Sequence, residues 1–399
     1  MKIGIAISLY DKFDELAILV DIIRNNWKGD YLISVCSNFQ GAAEHLEKLD
    51  IDSYVIGEDI KFSPNMDSLR KRVNITCRVF DCVRKSCTGA NNLGCDYVMH
   101  LHTDAWPLDE KTFLKLIDEM KSKKKKFAVR GMGFTKYRPD CPLGHVDDMH
   151  FVYDVKFAKK IGLFDVNPLA MLPGRLSIHG VLSTLIVGKI HLNNVYFYDN
   201  HTDLRYWDGK LHDPVYNRAK PTMFDYKYKF LHVHVGSFPG DISNNLQAMY
   251  LKKYGMVKGS HIKKFLGKYL IDEHVLFQKI RNLEEEMDKK VRWRGFPVLN
   301  WGRFGRDYSR KKWYVGLSFN KKLRYWMICM ARNIWEGTFQ KVLGVELAPD
   351  YSVWPESLDS FYTRNLNSSD YPDKNMVWYE RKIDKIKKDS SAYKGFDIF

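Results

Sequence analysis

No stretch of this chain approaches the roughly 18 consecutive apolar residues of a membrane-spanning helix, so no transmembrane helix is expected. The N-terminal run MKIGIAISLYDKFDE is too short in apolar residues for a signal peptide and reaches acidic residues at once. Cysteine is sparse: seven residues, an odd number, without metal-like spacing. Cys77, Cys82 and Cys87, five apart in a helical stretch, read as reduced, small apolar residues. These features predict a cytoplasmic protein, with peripheral contact at the inner face of a membrane left open. Gly-rich phosphate loops are also missing. No G-x-G-x-x-G follows the first strand, and there is no Walker lysine motif. A nucleotide bound here needs another neutraliser for its phosphates, and a divalent metal is the usual one. Acid is in deficit, 48 Asp and Glu against 63 Lys and Arg, for a net charge of +15. The deficit is concentrated in residues 241–399, where 30 basic residues face 19 acidic ones. The expected partner of that part is anionic.

At 399 residues, 45% of them hydrophobic, the chain suffices for one large and one smaller domain. Lys2–Leu9 is an apolar run ending in Tyr10-Asp11 and predicts a buried parallel strand. Asp14 is placed to cap a helix over Glu15–Trp27. Strands follow at Tyr31–Cys36, Ser53–Ile56, Asp96–Leu101 and Lys126–Arg130. Helices are expected around Ala42–Leu49, Asp67–Arg84 and Thr112–Lys121. This alternation predicts an α/β fold with a mostly parallel sheet and right-handed crossovers. Ligands of such sheets bind beyond the carboxyl ends of the strands. Tyr10, Asp11, Asn38, His102 and Asp104 stand at those ends. From Phe151 the period changes. Phe151–Tyr153 is β-like, Lys156–Ile161 is a helical turn stopped by Gly162, the segments Val181–Ile186 and Asn194–Tyr198 follow, and Phe230–Val235 reads as a further strand. Gly236-Ser237 and Pro239-Gly240 set the boundary between a domain at 1–240 and a mainly helical one at 241–399.

The strongest motif is Tyr97–Leu108, YVMHLHTDAWPL. A hydrophobic strand delivers His-x-Asp at its carboxyl end, and Pro107 is expected to stop it before Asp109 starts a helix. A carboxylate there can bind a divalent ion bridging two phosphates; an ordinary strand end with Asp in the turn reads equally well. The motif resembles the metal-binding Asp-x-Asp of the GT-A glycosyltransferases. In that comparison Asp104 matches the second aspartate and His102 replaces the first, which favours Mn²⁺ over Mg²⁺. His150–Asp165 (HFVYDVKFAKKIGLFD) resembles the family's acceptor-side segment, with Phe157, Ile161, Gly162, Phe164 and Asp165 at the matching positions. Phe230–Ser237 (FLHVHVGS) resembles the segment whose histidine closes the metal site. His232 and His234 share a strand face, and His234 is the expected third ligand.

The resemblance, over roughly residues 1–240, implies transfer of a sugar from a nucleoside-diphosphate sugar to a hydroxyl of a glycan or lipid-linked acceptor. It implies donor contacts at Ser8, Leu9 and Tyr10, at Asn38, beside the motif at Thr103, and at Arg70 and Arg72 for the diphosphate. A base must take the acceptor's proton if the reaction inverts. No acid stands at Leu176–Gly180, so the candidates are His179, Asp147 and Asp148, and the stereochemistry stays open. Two other readings stand beside this one: a GT-A-like binding protein without catalysis, and a sugar nucleotidyltransferase, which would normally show a Gly-rich signature near the first strand.

Residues 291–332 carry eleven Lys and Arg, one acid (Asp307) and four Trp. Four readings remain open. The region docks on anionic lipid near a lipid-linked acceptor, forms a groove for an acidic glycan, binds single-stranded nucleic acid, or is a small helical domain with its aromatics in the core. Nucleic acid is the least favoured of these.

Overall fold

The computed structural model describes residues 1–58, 68–133, 145–165, 192–200, 222–225, 228–233, 241–291 and 314–334, and the single positions 182, 185, 189, 190, 238 and 312. The chain divides into two compact units. The first contains Met1–Thr202 and Lys258–Ile262; the second contains Asp203–Val257 and Lys263–Trp354.

The first unit is the α/β domain anticipated from the alternating pattern. Its strands are β1 (Ile3–Leu9), β2 (Tyr31–Ser37), β3 (Ser53–Ile56), β4 (Tyr97–His102), the three-residue β5 (Ala105–Pro107), β6 (Phe127–Gly133), β7 (His145–Asp154) and β8 (Val195–Asn200). Seven of them form one sheet in the order β3-β2-β1-β4-β7-β6-β8. β1 runs parallel to both β2 and β4, β2 to β3, and β6 to β8. β7 alone is antiparallel to its neighbours β4 and β6. All seven residues of β1 are buried, as a central strand covered on both faces requires.

The helices are α1 (Phe13–Asp21), α2 (Ala43–Leu46), α3 (Ser68–Asn92), α4 (Glu110–Ser122) and α5 (Val155–Lys160). Asp109 caps α4 as expected, accepting from the Thr112 N–H at 3.2 Å. α5 ends at Ile161 and Gly162, with Gly162 at φ 58°, the left-handed geometry that a glycine stop supplies.

Several expectations are corrected. α1 begins at Phe13 behind Lys12, so Asp14 lies within its first turn rather than at the cap, where its charge still suits the helix dipole. Its last turn, Ile22–Asn26, is a π-helix, closed by the Trp27 N–H on the Ile22 carbonyl. α3 runs to Asn92 instead of Arg84. Gly89 interrupts its pattern without ending it, because the helix passes so close to β2 that a Cβ there would meet the Ser34 hydroxyl. Pro107 does not stop β4, which already ends at His102, but ends the separate three-residue β5. The short β piece at Phe151–Tyr153 is the end of the ten-residue β7. Leu182 and Leu185 are helical.

Asp21 at the end of α1 is buried and accepts the backbone N–H groups of His261 and Ile262 at 2.8 and 3.0 Å. Gly259, at φ 104°, leaves room for that carboxylate, which a Cβ would strike. In the second unit, Thr222–Asp225 (β9) and Phe230–Val233 (β10) pair antiparallel. Ile242–Lys253 (α6), Ser260–Tyr269 (α7), of which Lys263–Tyr269 belong here, Glu273–Val291 (α8) and Phe319–Ile334 (α9) supply its helices.

Glu110 ties the start of β2 to α4. It accepts from the Lys28 and Gly29 N–H groups at 2.9 and 2.7 Å and from the Tyr31 hydroxyl at 2.7 Å. Burial pushes its pKa up, but these three hydrogen bonds outweigh it and the net shift is downward. A carboxylate held below its unfolded value stabilises the fold above about pH 4.3 and loses that contribution as pH falls further. Glu110→Gln is therefore expected to lower the urea midpoint at pH 7, with the gap to wild type closing as the pH is taken below about 4.

Candidate functional site

The parallel register of three strands builds the site. Ser8 on β1 stands beside Cys36 on β2 and His102 on β4. The chain leaves all three strands just past that level, so their exits converge. The resulting cleft is lined by Ser8–Lys12, by Asn38, by Arg78, Val79 and Cys82 of α3, and by His102–Asp104. Eight of the residues expected there are therefore neighbours: Ser8, Leu9, Tyr10, Asp11, Asn38, Thr103 and Asp104 among them. His102 completes the group.

Their chemistry divides into fixed and available groups. The Ser8 hydroxyl lies 3.0 Å from Nε2 of the buried His100. Burial, followed by the neighbouring His102, holds the His100 pKa well below the usual imidazole range, so that ring is neutral. The Asn38 amide is occupied behind the cleft. Its Nδ2 donates to the Glu58 carbonyl at 2.9 Å and to Asp81 at 3.2 Å, and the residue is buried. Asp81 also binds Arg84 at 2.8 Å and Lys85 at 3.0 Å, which anchors the inner face of α3. Thr103 is buried, and its carbonyl accepts from the Trp106 indole at 2.7 Å, fixing the turn that carries Asp104.

Available groups lie at the front. Asp104 Oδ2 meets Lys12 Nζ at 2.6 Å; the side chains are 13% and 36% exposed. The Arg78 guanidinium sits 4.1 Å over the Tyr10 ring, whose edge meets Phe39 at a centroid distance of 5.9 Å. This arrangement offers a cation, an aromatic plane and a carboxylate within one cleft.

Lys12 and Arg78 were not anticipated. Arg78 lies two turns beyond Arg70 on α3, inside the helix expected from the sequence, and the packing of α3 on the sheet puts it beside the strand ends. Arg70 and Arg72 are in the first turns of α3, and their side chains fall outside the described residues. Lys12 directly follows Tyr10-Asp11 at a strand end, which was a readable signal.

Asp148 is buried on β7, with Oδ2 3.7 Å from His102 Nε2. His150, also on β7, pairs through Nδ1 with the Tyr198 hydroxyl of β8. The Asp147 side chain, His179 and His234 lie outside the described residues. His232 is buried on β10 of the second unit, opposite Met223.

A divalent cation needs oxygen or nitrogen donors placed together. Among the described residues no group of three His, Cys, Asp or Glu could hold one. A cation that arrives with phosphates needs only one or two protein donors, because phosphate oxygens and water complete its shell. Asp104 supplies an oxygen. His102 Nε2 is buried and makes no hydrogen bond among the described residues, which suits an imidazole donor. An oxygen and a nitrogen donor together are a set that ions of the Mn²⁺ type accept.

No family model and no curated protein matches the sequence. Among solved structures the chain is similar to glycosyltransferases. The galactosyltransferase LgtC, in complex with donor and acceptor sugar analogues, is 12% identical over 69% of this chain and 98% of its own, with a TM-score of 0.37. The mannosyltransferase PcManGT from Pyrobaculum calidifontis, in complex with GDP-Man and Mn²⁺, is 10% identical over 84% of this chain and 87% of its own, with a TM-score of 0.30. The bifunctional glycosyltransferase WbbM is 12% identical over 67% of this chain at a TM-score of 0.35, and the match spans about half of its length, 51%.

Proposed function

We propose that this chain is a glycosyltransferase that moves a glycosyl group from a nucleoside-diphosphate sugar to an acceptor hydroxyl. One observation carries the reading. A carboxylate, an imidazole and a guanidinium line a single cleft at the carboxyl ends of β1, β2 and β4, where such sheets bind nucleotides. The absence of a Gly-rich loop means that side chains must hold the diphosphate. Arg78 can bind it with a planar, two-pronged contact. Tyr10 and Phe39 present aromatic surface to the base.

The charges of the cleft favour added cation. Asp11 and Asp104 balance Lys12 and Arg78 among the described lining residues. A diphosphate brings roughly two to three negative charges. Asp104 and His102 would hold a divalent cation there, Mn²⁺ better than Mg²⁺, and when bound it supplies positive charge to the departing diphosphate. Asp148 is buried beside His102 and is too enclosed to meet an acceptor hydroxyl. His179 and Asp147 are the bases proposed for that proton.

On the acceptor side, α9 favours a lipid surface. Phe319, Leu323 and Met327 recur every four residues along one stripe and are 56%, 36% and 59% exposed. Lys321 and Arg324 are exposed beside them. No described helix is long and apolar enough to cross a membrane. An amphipathic basic helix of this kind lies in the interface of an anionic leaflet, where a lipid-linked acceptor is presented.

Two measurements test the reading. In a thermal-shift panel of nucleoside diphosphates and nucleotide sugars with and without Mn²⁺, at least one should raise the melting temperature of wild type. Asp104→Ala should keep the wild-type melting temperature without ligand and lose both that shift and metal-dependent turnover; full activity in the variant refutes the role of Asp104. Cosedimentation with phosphatidylglycerol vesicles should exceed that with neutral vesicles, fall in high salt and drop further in Met327→Asp. Equal sedimentation with both lipids rules out the membrane surface.

A further inference from the structure

We infer that Lys12 is an exchangeable counter-ion of Asp104: a divalent cation takes the carboxylate from Lys12, and the released ammonium then pairs with the diphosphate of the donor. This rests on the reading of Asp104 as a cation ligand.

The contact itself is close, with Nζ 2.6 Å from Oδ2. A charge-assisted hydrogen bond of that length means the carboxylate is already engaged, so any cation that binds it must compete. The two ends of the pair are built differently. Asp104 sits in the turn between β4 and β5, where Thr103 is buried and bonded to Trp106. Lys12 stands at the N-terminal cap of α1 on a flexible four-carbon stem, with more than a third of its side chain exposed. The carboxylate is therefore the fixed partner and the ammonium the movable one. Ion pairs with one such exposed partner are weakly held, which makes exchange easy.

Lysine suits this task better than arginine would. It is a compact point charge with three rotatable donors, whereas a guanidinium would grip the carboxylate with a planar fork. The neighbourhood also favours movement over loss. Glu15, three residues along α1, also interacts electrostatically with Lys12 and Asp104. A lysine displaced from Asp104 thus stays in an acidic corner of the cleft until an anion enters. The exchange couples the two ligands. Cation alone must displace Lys12 without recompense, while cation and diphosphate together give every charge a partner.

Mn²⁺ binding and UDP or GDP binding in the presence of Mn²⁺, both measured by calorimetry, read the exchange directly. In Lys12→Met, which keeps the stem and removes the charge, Mn²⁺ alone should bind roughly fivefold or more tighter than in wild type, as the 5–150-fold range of ordinary coupling allows. The same variant should bind the nucleoside diphosphate roughly tenfold weaker. Lys12→Arg should shift Mn²⁺ binding the opposite way, because the fork holds Asp104 harder. Opposite signs for the two ligands in Lys12→Met support the exchange. Weakening of both, or a change in neither, overturns it, since a purely structural lysine would give one or the other. If wild type binds the diphosphate with Mn²⁺ but Asp104→Asn does so equally well, the reading of Asp104 as a cation ligand falls instead. Lys12→Arg retains the charge, so its result decides the matter should the methionine variant fold poorly.

Discussion

The site depends on the register of β1 between two parallel neighbours. Because β1 is buried on both faces, it cannot slide by one residue without exchanging every side chain between the two sides of the sheet. That register holds Ser8 level with Cys36 and His102. Three chain segments then leave the sheet at one height, and their first polar residues meet. The cleft is the geometric result of a hydrophobic constraint several residues away from it.

Behind the cleft, polar groups are spent on one another. Asp81 gathers Asn38, Arg84 and Lys85, and Ser8 lies against a neutral His100. In a low-dielectric interior such groups are expensive unless paired, so these networks hold the inner wall in one arrangement. At the front the pairing is looser. Lys12 meets Asp104 at the surface, and Arg78 rests on Tyr10. A rigid rear wall with movable charges in front suits a ligand that brings its own charge, because the frame stays in place while partners change.

The second unit shows a different logic. Its hairpin and helices bury Tyr250, Leu251, Leu276 and Ile280, while α9 keeps an apolar stripe in water beside exposed cations. Burying an apolar side chain is worth about 1.5–3 kcal/mol, so leaving three exposed in one row is a cost that a core would have avoided. The basic excess of residues 241–399 and this stripe point to one kind of surface, apolar with a cationic rim.

Much of the frame was legible in the chain itself. KIGIAISL reads as a buried strand because nothing polar interrupts it, and Asp109 and Gly162 mark helix ends through capping chemistry that needs no tertiary partner. His-x-Asp at a strand end likewise announces its place. Other features belong to the folded state alone. The passage of α3 through Gly89 depends on how near β2 lies, and β7 enters antiparallel between β4 and β6 because strand pairing is decided between distant segments. The meeting of Lys12, Arg78 and Asp104 is of the same kind. Local sequence sets which residues end each element, but residues 12, 78 and 104 become neighbours only through the packing of a helix on a sheet, a long-range outcome that no local pattern encodes.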